Sequence, residues 1–217
     1  MKNIKSALIV ILLASLTTLS YSQDAEMKYL FGGKGKVKVS GFIAPIMEYS
    51  AMGDDFAFFM GGGGAILFNQ AFFFGAYGEG LTTPYEKEIV INPLYSWKTT
   101  QRIEWGHGGL WLGYIHHSQA PIHAGISTRI GWGAINLWEE DFKDDFSSDW
   151  TDHVFVAIPQ IEVEFNFFRW LKANVGVGYR FVTGIDKEYY WSDELIYDKK
   201  DFNKPQATMT LMFGFFK

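Results

Sequence analysis

Hydrophobic and polar positions alternate along most of this chain with a period of two. The alternation is clearest in residues 152–184, where two alternating runs are joined by the short connection 166–170. Successive side chains of a β-strand point to opposite faces, so this pattern predicts two strands. The short connection predicts a hairpin that turns about Phe168 and places Glu164 opposite Lys172.

The same alternation predicts six more strands, which makes eight in total. We expect them at about residues 36–50, 56–68, 71–81, 102–116 and 122–137 before the hairpin, and from about residue 206 to the end after it. The turns after the second, fourth and sixth strands are short, the loops after the third, fifth and seventh strands are long, and the first connection is also short. The three long loops are residues 82–101, 138–151 and 185–205. Short turns that alternate with long loops are typical of outer-membrane β-barrels, and a soluble sandwich has no reason to show them.

One strand has a broken pattern. Ile103 and Trp105 share one parity, whereas Leu110 and Leu112 share the other. We interpret residues 106–109, which include a histidine at 107, as a β-bulge that shifts the phase.

One face of each strand is apolar and rich in aromatic residues, and the other face collects charges. A soluble barrel would turn the apolar face inward, but the lumen of an eight-stranded barrel is only about wide enough for its own side chains. The aromatic residues are too bulky for it, so we expect them to face lipid. The predicted fold is therefore all-β, an eight-stranded antiparallel up-and-down transmembrane β-barrel. Its lumen should hold a polar cluster of paired charges, formed by Glu48, Glu79, Arg129, Glu162, Glu164, Lys172 and Arg180.

The first 22 residues have the pattern of a secretory signal peptide. Lys2 and Lys5 precede an apolar run from Ala7 to Leu16, and Ser20 and Ser22 have the small-x-small spacing of a cleavage site. The run is shorter than the roughly 20 residues that a membrane helix needs. The predicted organisation is a signal peptide at 1–22, an N-terminal lead-in at 23–35 and a barrel at 36–217, located in the cell outer membrane.

Composition narrows the possible functions. The chain has 19 Lys and Arg against 24 Asp and Glu, and this acidic balance argues against nucleic acid as a partner. It has no cysteine, which excludes a disulfide framework and a lipid-modified cysteine. Aromatic residues make up 18% of the chain and glycines number 23, a combination that fits interfacial girdles and crowded, curved strands.

Several stretches carry a resemblance to a known family. They are residues 61–64, 106–110, 162–166, 169–170, 176–181 and the closing 213–216. With them, nearly the whole chain after residue 22 resembles the small eight-stranded outer-membrane barrels of Gram-negative bacteria, the OmpA/OmpX-like class. The resemblance implies the fold, the location and contact with outer-membrane lipid and lipopolysaccharide. A terminal aromatic residue is that family's insertion signal, and here Phe216 is followed by Lys217.

We predict no catalytic, cofactor-binding or metal site. His116 and His117 adjoin Ser118, but neighbours at a strand end point apart, so a shared site is not expected there. The role of His107 stays open. The acidic loop 138–151 has no EF-hand spacing, and two interpretations remain: a solvated loop beside lipopolysaccharide, or a loop that binds divalent cations.

The expected function is a structural or surface-interaction role through the long loops, with a possible extracellular partner and no catalysis. One alternative is a lipid A-modifying enzyme, which would need a set of Ser, His and acid, and no serine in the sequence stands convincingly beside His107. The other alternative is a narrow channel. The sequence does not define the oligomeric state.

Overall fold

The computed structural model describes residues 37–92, 97–139, 150–185, 189–191, 194–197 and 199–216, with side chains left out at 87–92, 97–101, 137–139, 150, 189–191 and 194–197. The expected signal peptide and lead-in lie outside these residues. Residues 38–217 form one compact unit.

The described chain is almost entirely strand. The strands are β1 (Val39–Met52), β2 (Asp55–Phe68), β3 (Phe72–Leu81), β4 (Tyr85–Asn92), β5 (Trp97–Ile115), β6 (Ile122–Glu139), β7 (Trp150–Phe168), β8 (Leu171–Thr183), β9 (Tyr189–Trp191), β10 (Glu194–Tyr197) and β11 (Lys204–Gly214). One short helix, α1 (Lys199–Phe202), precedes β11. Within the described ranges, no helix is long and apolar enough to cross a membrane.

Eight of these strands close into a barrel. They pair in the order β1, β2, β3, β5, β6, β7, β8 and β11, and β11 pairs back onto β1. Every pairing is antiparallel, so the predicted eight-stranded antiparallel up-and-down barrel is confirmed. An interior of this size is filled by its own side chains.

The barrel has two unlike ends. At the turn end, short turns join β2 to β3, β5 to β6 and β7 to β8. The first of these is tight: Ala71 N donates to the Phe68 carbonyl oxygen at 3.0 Å, and the two central residues of this turn, Asn69 and Gln70, have positive φ (52° and 56°). The connections β1–β2, β3–β5, β6–β7 and β8–β11 lie at the other end, called here the loop end.

The turn between β7 and β8 differs from the prediction. Arg169 and Trp170 form the turn, and Phe168 pairs with Leu171, with an irregularity between Asn166 and Phe168. Glu164 therefore pairs with Asn174, and the predicted register was wrong by two residues. A shift of two keeps every side chain on its face, so the assignment of inward residues is unaffected.

The predicted bulge at residues 106–109 is also wrong. These residues pair one to one with β3 and with β6 without a register shift. Ile103, Trp105 and His107 all lie buried on the same inward face. The hydrophobic pattern changes phase in β5 because the inward residues near the loop end, Ile103 and Trp105, are themselves apolar.

The three long loops are shorter than expected because strands extend into them. Residues 85–92 form β4, which pairs with the first part of β5, and Pro84 falls in the break between β3 and β4, where a missing N–H is tolerated. The segment 185–205 contains the β9–β10 hairpin, α1 and the start of β11. In the acidic segment 138–151, residues 138–139 and 150–151 belong to β6 and β7, and 140–149 lie outside the described residues.

Two apolar clusters fill the two ends of the lumen. The loop-end core contains Met52, Ala57, Phe59, Tyr85, Ile103, Trp105, Ile135, Val154, Val156, Ile158, Val182, Ile185 and Phe202. The turn-end core contains Phe42, Ala44, Ile46, Ala65, Leu67, Phe73, Tyr77, Trp111, Ile115, Met212 and Phe216. Several aromatic rings therefore lie inside the barrel as well as on its outer face, and edge-to-face packing, as between Phe42 and Trp111, fits them together.

Candidate functional site

The structure places all seven residues of the expected polar cluster inside the barrel. Each is at most 6% exposed, and they come from the inward faces of β1, β3, β6, β7 and β8. They form three groups of contacts, centred on Arg129, Glu164 and Glu162.

The first group is a chain of ion pairs that links four strands. Arg129 Nη2 donates to Glu48 Oε2 at 2.7 Å, and its Nη1 donates to the carboxylate of Glu79. The other oxygen of Glu48 accepts from Arg180 Nη1 at 2.8 Å. Two arginines and two glutamates thus alternate, and their formal charges balance. Planar guanidinium groups suit such contacts because their donors are fixed in a fork.

Arg180 also connects the charged group to the loop-end core. Its Nε donates to the backbone carbonyl of Phe202 at 3.1 Å, and its Nη2 donates to that of Ala51 at 3.1 Å. Its guanidinium lies 4.6 Å from the ring centroids of both Phe59 and Trp105. Arg180 therefore connects the C-terminal residue of α1, Phe202, to the charged group.

His107 points into the lumen beside the first group. Its Nδ1 lies 3.2 Å from the Tyr77 hydroxyl, and its Nε2 lies 3.7 Å from Glu79 Oε1. The rings of Phe59 and Trp105 pack against it. In the described part of the chain no serine hydroxyl contacts His107, and its side chain does not face the outer surface.

The second group is centred on Glu164, near the turn end. Its Oε1 lies 2.6 Å from Lys172 Nζ and 2.8 Å from His123 Nε2. Lys172 therefore contacts Glu164 diagonally rather than from the directly opposite position. Lys172 Nζ also lies 4.5 Å from the ring centroid of Phe216, in the turn-end core. Sequence reasoning did not place His123 in this group, although its parity in β6 is the inward one.

The third group surrounds Glu162 with neutral donors. Ser127 Oγ donates to Oε1 at 2.6 Å, and Asn174 Nδ2 donates to Oε2 at 2.7 Å. Gln160 Nε2 also donates to Oε1. Ser127, Gln160 and Asn174 were not predicted as members of the cluster, because uncharged polar residues on an inward face are common in any barrel.

The remaining histidines of the β5–β6 turn lie outside the lumen. His116 and His117 are exposed, and His117 has a positive φ of 52°. Among the residues that the structure describes, no three His, Asp or Glu side chains are placed to hold a metal ion together.

The outer surface has the opposite character from the lumen. Large apolar side chains stand exposed on every strand of the barrel, including Trp132 (68%) and Ile161 (64%). Aromatic residues contact one another across neighbouring strands, as Trp132 and Phe155 do at a centroid distance of 5.6 Å. The barrel thus buries its charges and exposes its aromatic residues.

Comparison with known proteins finds likeness at the level of structure. No family model matches the chain, and no curated protein matches it. The fold is similar to the N-terminal β-barrel domain of Pseudomonas aeruginosa OprF, at 13% identity over 81% of this chain and 97% of that one, with a TM-score of 0.46. It is also similar to Neisserial surface protein A, NspA, at 8% identity over 84% and 100%, with a TM-score of 0.44. A third similar structure is Ail, the attachment invasion locus protein of Yersinia pestis, at 10% identity over 82% and 96%, with a TM-score of 0.40. At these identities the likeness concerns the fold alone.

Proposed function

We propose that this protein spans a bacterial outer membrane as a closed barrel and acts at the cell surface through its loop end, in a structural or surface-interaction role. The observation that carries the proposal is the inverted polarity of the barrel, with buried charges inside and exposed aromatic and aliphatic side chains outside.

An outer wall that faces lipid explains this distribution of side chains better than an outer wall that faces water. Contiguous exposed apolar surface is rare on soluble monomers and marks contact with another apolar phase. A transmembrane barrel has an outward apolar band with aromatic girdles at both interfaces. Outer-membrane lipid and lipopolysaccharide are then the partners of the barrel wall.

The filled lumen argues for a closed barrel rather than a channel. An apolar core occupies each end, and the ion pairs of Arg129 and Arg180 lie between the cores. A solute would have to displace both cores and break buried ion pairs. We therefore expect no conductance steps from the purified protein in planar bilayers, and regular ion-conducting steps would contradict the closed barrel.

The loop end is the part that can present a varied surface to the exterior. The extension of β4 and β5, the β9–β10 hairpin and α1 all lie in connections at this end. A partner outside the cell would meet these segments first.

Cell fractionation and cysteine labelling test the location and the orientation. Because the native chain has no cysteine, each variant carries one label site. Exposed Lys199→Cys at the loop end should react with a membrane-impermeant maleimide on intact cells, whereas exposed Gln119→Cys at the turn end should react only after lysis. The protein should also pellet with the outer membrane and change its gel mobility on heating. Labelling of position 119 but not 199 on intact cells would reverse the topology, and a soluble detergent-free monomer would refute the location.

A further inference from the structure

A cavity opens among the short turns at the turn end of the barrel. It has a volume of about 470 Å³, and its lining includes Gln70, Gln119, Asn166, Arg169, Lys172 and Phe216. These residues come from all three turns, from β7 and β8, and from the chain just after β11. Phe216 also belongs to the turn-end core, so the cavity is a pocket in the surface of the turn end and not the mouth of a passage through the barrel.

Hydrogen bonds hold the walls of this pocket in place. Asn166 Nδ2 donates to the carbonyl oxygens of Ser118 and Ala120, at 3.0 and 2.7 Å, and fixes the β5–β6 turn against β7. On the other side, Phe216 N donates to the Arg169 carbonyl oxygen at 3.0 Å, which fixes the segment after β11 against the β7–β8 turn. A site with fixed walls loses little conformational entropy when a ligand binds, so this pocket is suited to binding.

The lining of the pocket is basic. It contains Arg169 and Lys172, and none of the described residues that line it is acidic. Lys172 Nζ is paired with Glu164 Oε1 at 2.6 Å. Arg169 is exposed, and in the described part of the chain no carboxylate lies within 4 Å of its guanidinium group. A guanidinium group suits a phosphate because its five N–H donors are fixed in one plane, so Arg169 is available to an anionic ligand.

Exposed charges are also separated between the two ends of the barrel. The exposed acidic side chains that the structure describes all lie toward the loop end, and they are Asp54, Asp55, Glu86 and Glu104. The exposed lysine and arginine described at the turn end are Lys38 and Arg169. The whole chain is acidic, with 19 Lys and Arg against 24 Asp and Glu, so its composition does not account for a basic turn end. This separation favours an anionic ligand on the side of the pocket.

The pocket lies at the depth of an aromatic girdle. Phe167 and Phe168 line it and are 57% and 60% exposed, and Trp170, next to Arg169, is 52% exposed. The rings of Phe168 and Trp170 stack at a centroid distance of 5.6 Å. Exposed aromatic rings at the end of a transmembrane barrel mark the interface between hydrocarbon and headgroups. The anions at this depth are the phosphate groups of lipids.

We propose that this pocket binds the phosphate headgroup of an anionic glycerophospholipid from the membrane leaflet at the turn end. The guanidinium group of Arg169 contacts the phosphate, and the side-chain amides of Gln70 and Gln119 are available to the hydroxyl groups of a polyol headgroup. The acyl chains lie along the exposed aromatic rings. A zwitterionic headgroup binds less well, because no carboxylate in the described lining meets its ammonium group. The inference rests on the proposed membrane location.

Native mass spectrometry tests the selectivity for the headgroup. The full chain, refolded in detergent micelles, is mixed with dioleoylphosphatidylglycerol or dioleoylphosphatidylcholine, which share their acyl chains and differ in the headgroup. We expect one molecule of phosphatidylglycerol to be retained at concentrations at which phosphatidylcholine is not. Equal retention of the two lipids would overturn the proposal.

Inorganic phosphate, added as a competitor, separates a lipid site from a site for the free ion. Phosphatidylglycerol should stay bound at an equimolar concentration of phosphate, because its acyl chains also contact the barrel wall. Displacement of the lipid under these conditions would mean that the pocket takes free phosphate, and it would overturn the lipid site.

Variants of the pocket test the role of its charge. Arg169→Gln should weaken the binding of phosphatidylglycerol about tenfold, because it removes charge-assisted hydrogen bonds to the phosphate. Arg102→Gln removes an exposed arginine from β5 near the loop end and should keep the native affinity. Gln119→Glu adds an anion to the pocket while Arg169 stays, and it should also weaken binding, whereas exposed Thr82→Glu adds the same charge outside the pocket and should not. Native affinity in either pocket variant would overturn the proposal.

The heat-dependent gel mobility of each preparation reports barrel folding separately from lipid binding. A native chain that folds and inserts but retains both lipids equally would refute the pocket and leave the proposed location intact. A chain that is a soluble monomer without detergent would instead refute the location, and the lipid site with it.

Discussion

Arg129 is the residue on which the first charged group depends. From β6 it reaches across the lumen and contacts the carboxylates of Glu48 on β1 and Glu79 on β3. Glu48 has a second partner in Arg180, whereas in the described part of the chain Glu79 has only the more distant His107 besides Arg129. Loss of Arg129 therefore leaves Glu79 as a buried carboxylate without its main ion-pair partner.

Arg129→Met should destabilise the barrel by roughly 3–5 kcal/mol in urea unfolding, because it leaves a buried charge without its partner. The double variant Arg129→Met/Glu79→Gln should recover part of this loss, since the stranded charge is then gone. Arg102→Met, which removes an exposed arginine from β5, is the matched control and should cost little. A double variant no more stable than Arg129→Met would show that the ion pair is not the cause.

A second residue-scale prediction concerns the outer wall. Val177 and Val39 are both outward and exposed, but Val177 lies within β8 and Val39 begins β1 at the turn end. Val177→Lys should cost about 2–4 kcal/mol and Val39→Lys about 0–1 kcal/mol, because a charge is costly in the hydrocarbon and tolerated near the interface. Urea unfolding in vesicles measures both, and equal costs would contradict burial of this wall in lipid.

Parity along a strand groups the charged residues on one face, and the structure places that face toward the lumen, but parity does not predict which of these residues touch. Glu164 and Lys172 meet even though the predicted register was wrong, because both point inward and Lys172 is long enough to reach diagonally. His123 could not be assigned to Glu164, since that contact depends on how β6 and β7 are aligned. Contacts such as Arg129 with Glu48 join strands that are not neighbours, and nothing in the local sequence records them.

At the scale of elements, the interior changes character along a strand. In β5 the inward positions run from Ile103 and Trp105 through His107 to Trp111. If every apolar residue of such a strand is assumed to face outward, the residues at both ends of the strand are assigned to the wrong face. The pattern of the strand then changes phase in its middle, and a bulge is predicted where there is none. In β7 the inward residues are apolar from Val154 to Ile158 and polar from Gln160 to Glu164, so this assumption holds only in the second half of this strand.

The β4–β5 extension should be dispensable for barrel closure. Closure between β3 and β5 uses residues 72–80 and 106–114, whereas the extension uses β4 and the start of β5. Lys87 pairs with Gln101, so replacement of residues 88–100 by Asn-Gly should form a two-residue hairpin turn. We expect the shortened protein to insert and to keep its heat-dependent gel mobility. Failure to fold would show that the extension is needed to form the barrel.

In the whole molecule, charged and apolar side chains are distributed in the opposite way from a soluble barrel. Charges that would be hydrated on a soluble surface are paired in the lumen, and side chains that would form a core stand exposed on the wall. The alternation, the loop lengths and the aromatic content were sufficient to predict this arrangement. The apolar cores that close the lumen could not be predicted in the same way, because their residues resemble those of the outer wall.

The most direct test of the account is the environment of the outer wall in a bilayer. Single cysteines at Ile126, Ile161 and Val177, each more than half exposed, would carry an environment-sensitive fluorophore in refolded vesicles, with Lys199→Cys as the loop-end control. We expect nitroxide groups on lipid chains to quench the three wall positions strongly and aqueous iodide to quench them weakly, with the reverse at position 199. Strong iodide quenching at the wall, equal to that at position 199, would contradict a lipid-facing wall and the membrane-spanning barrel with it.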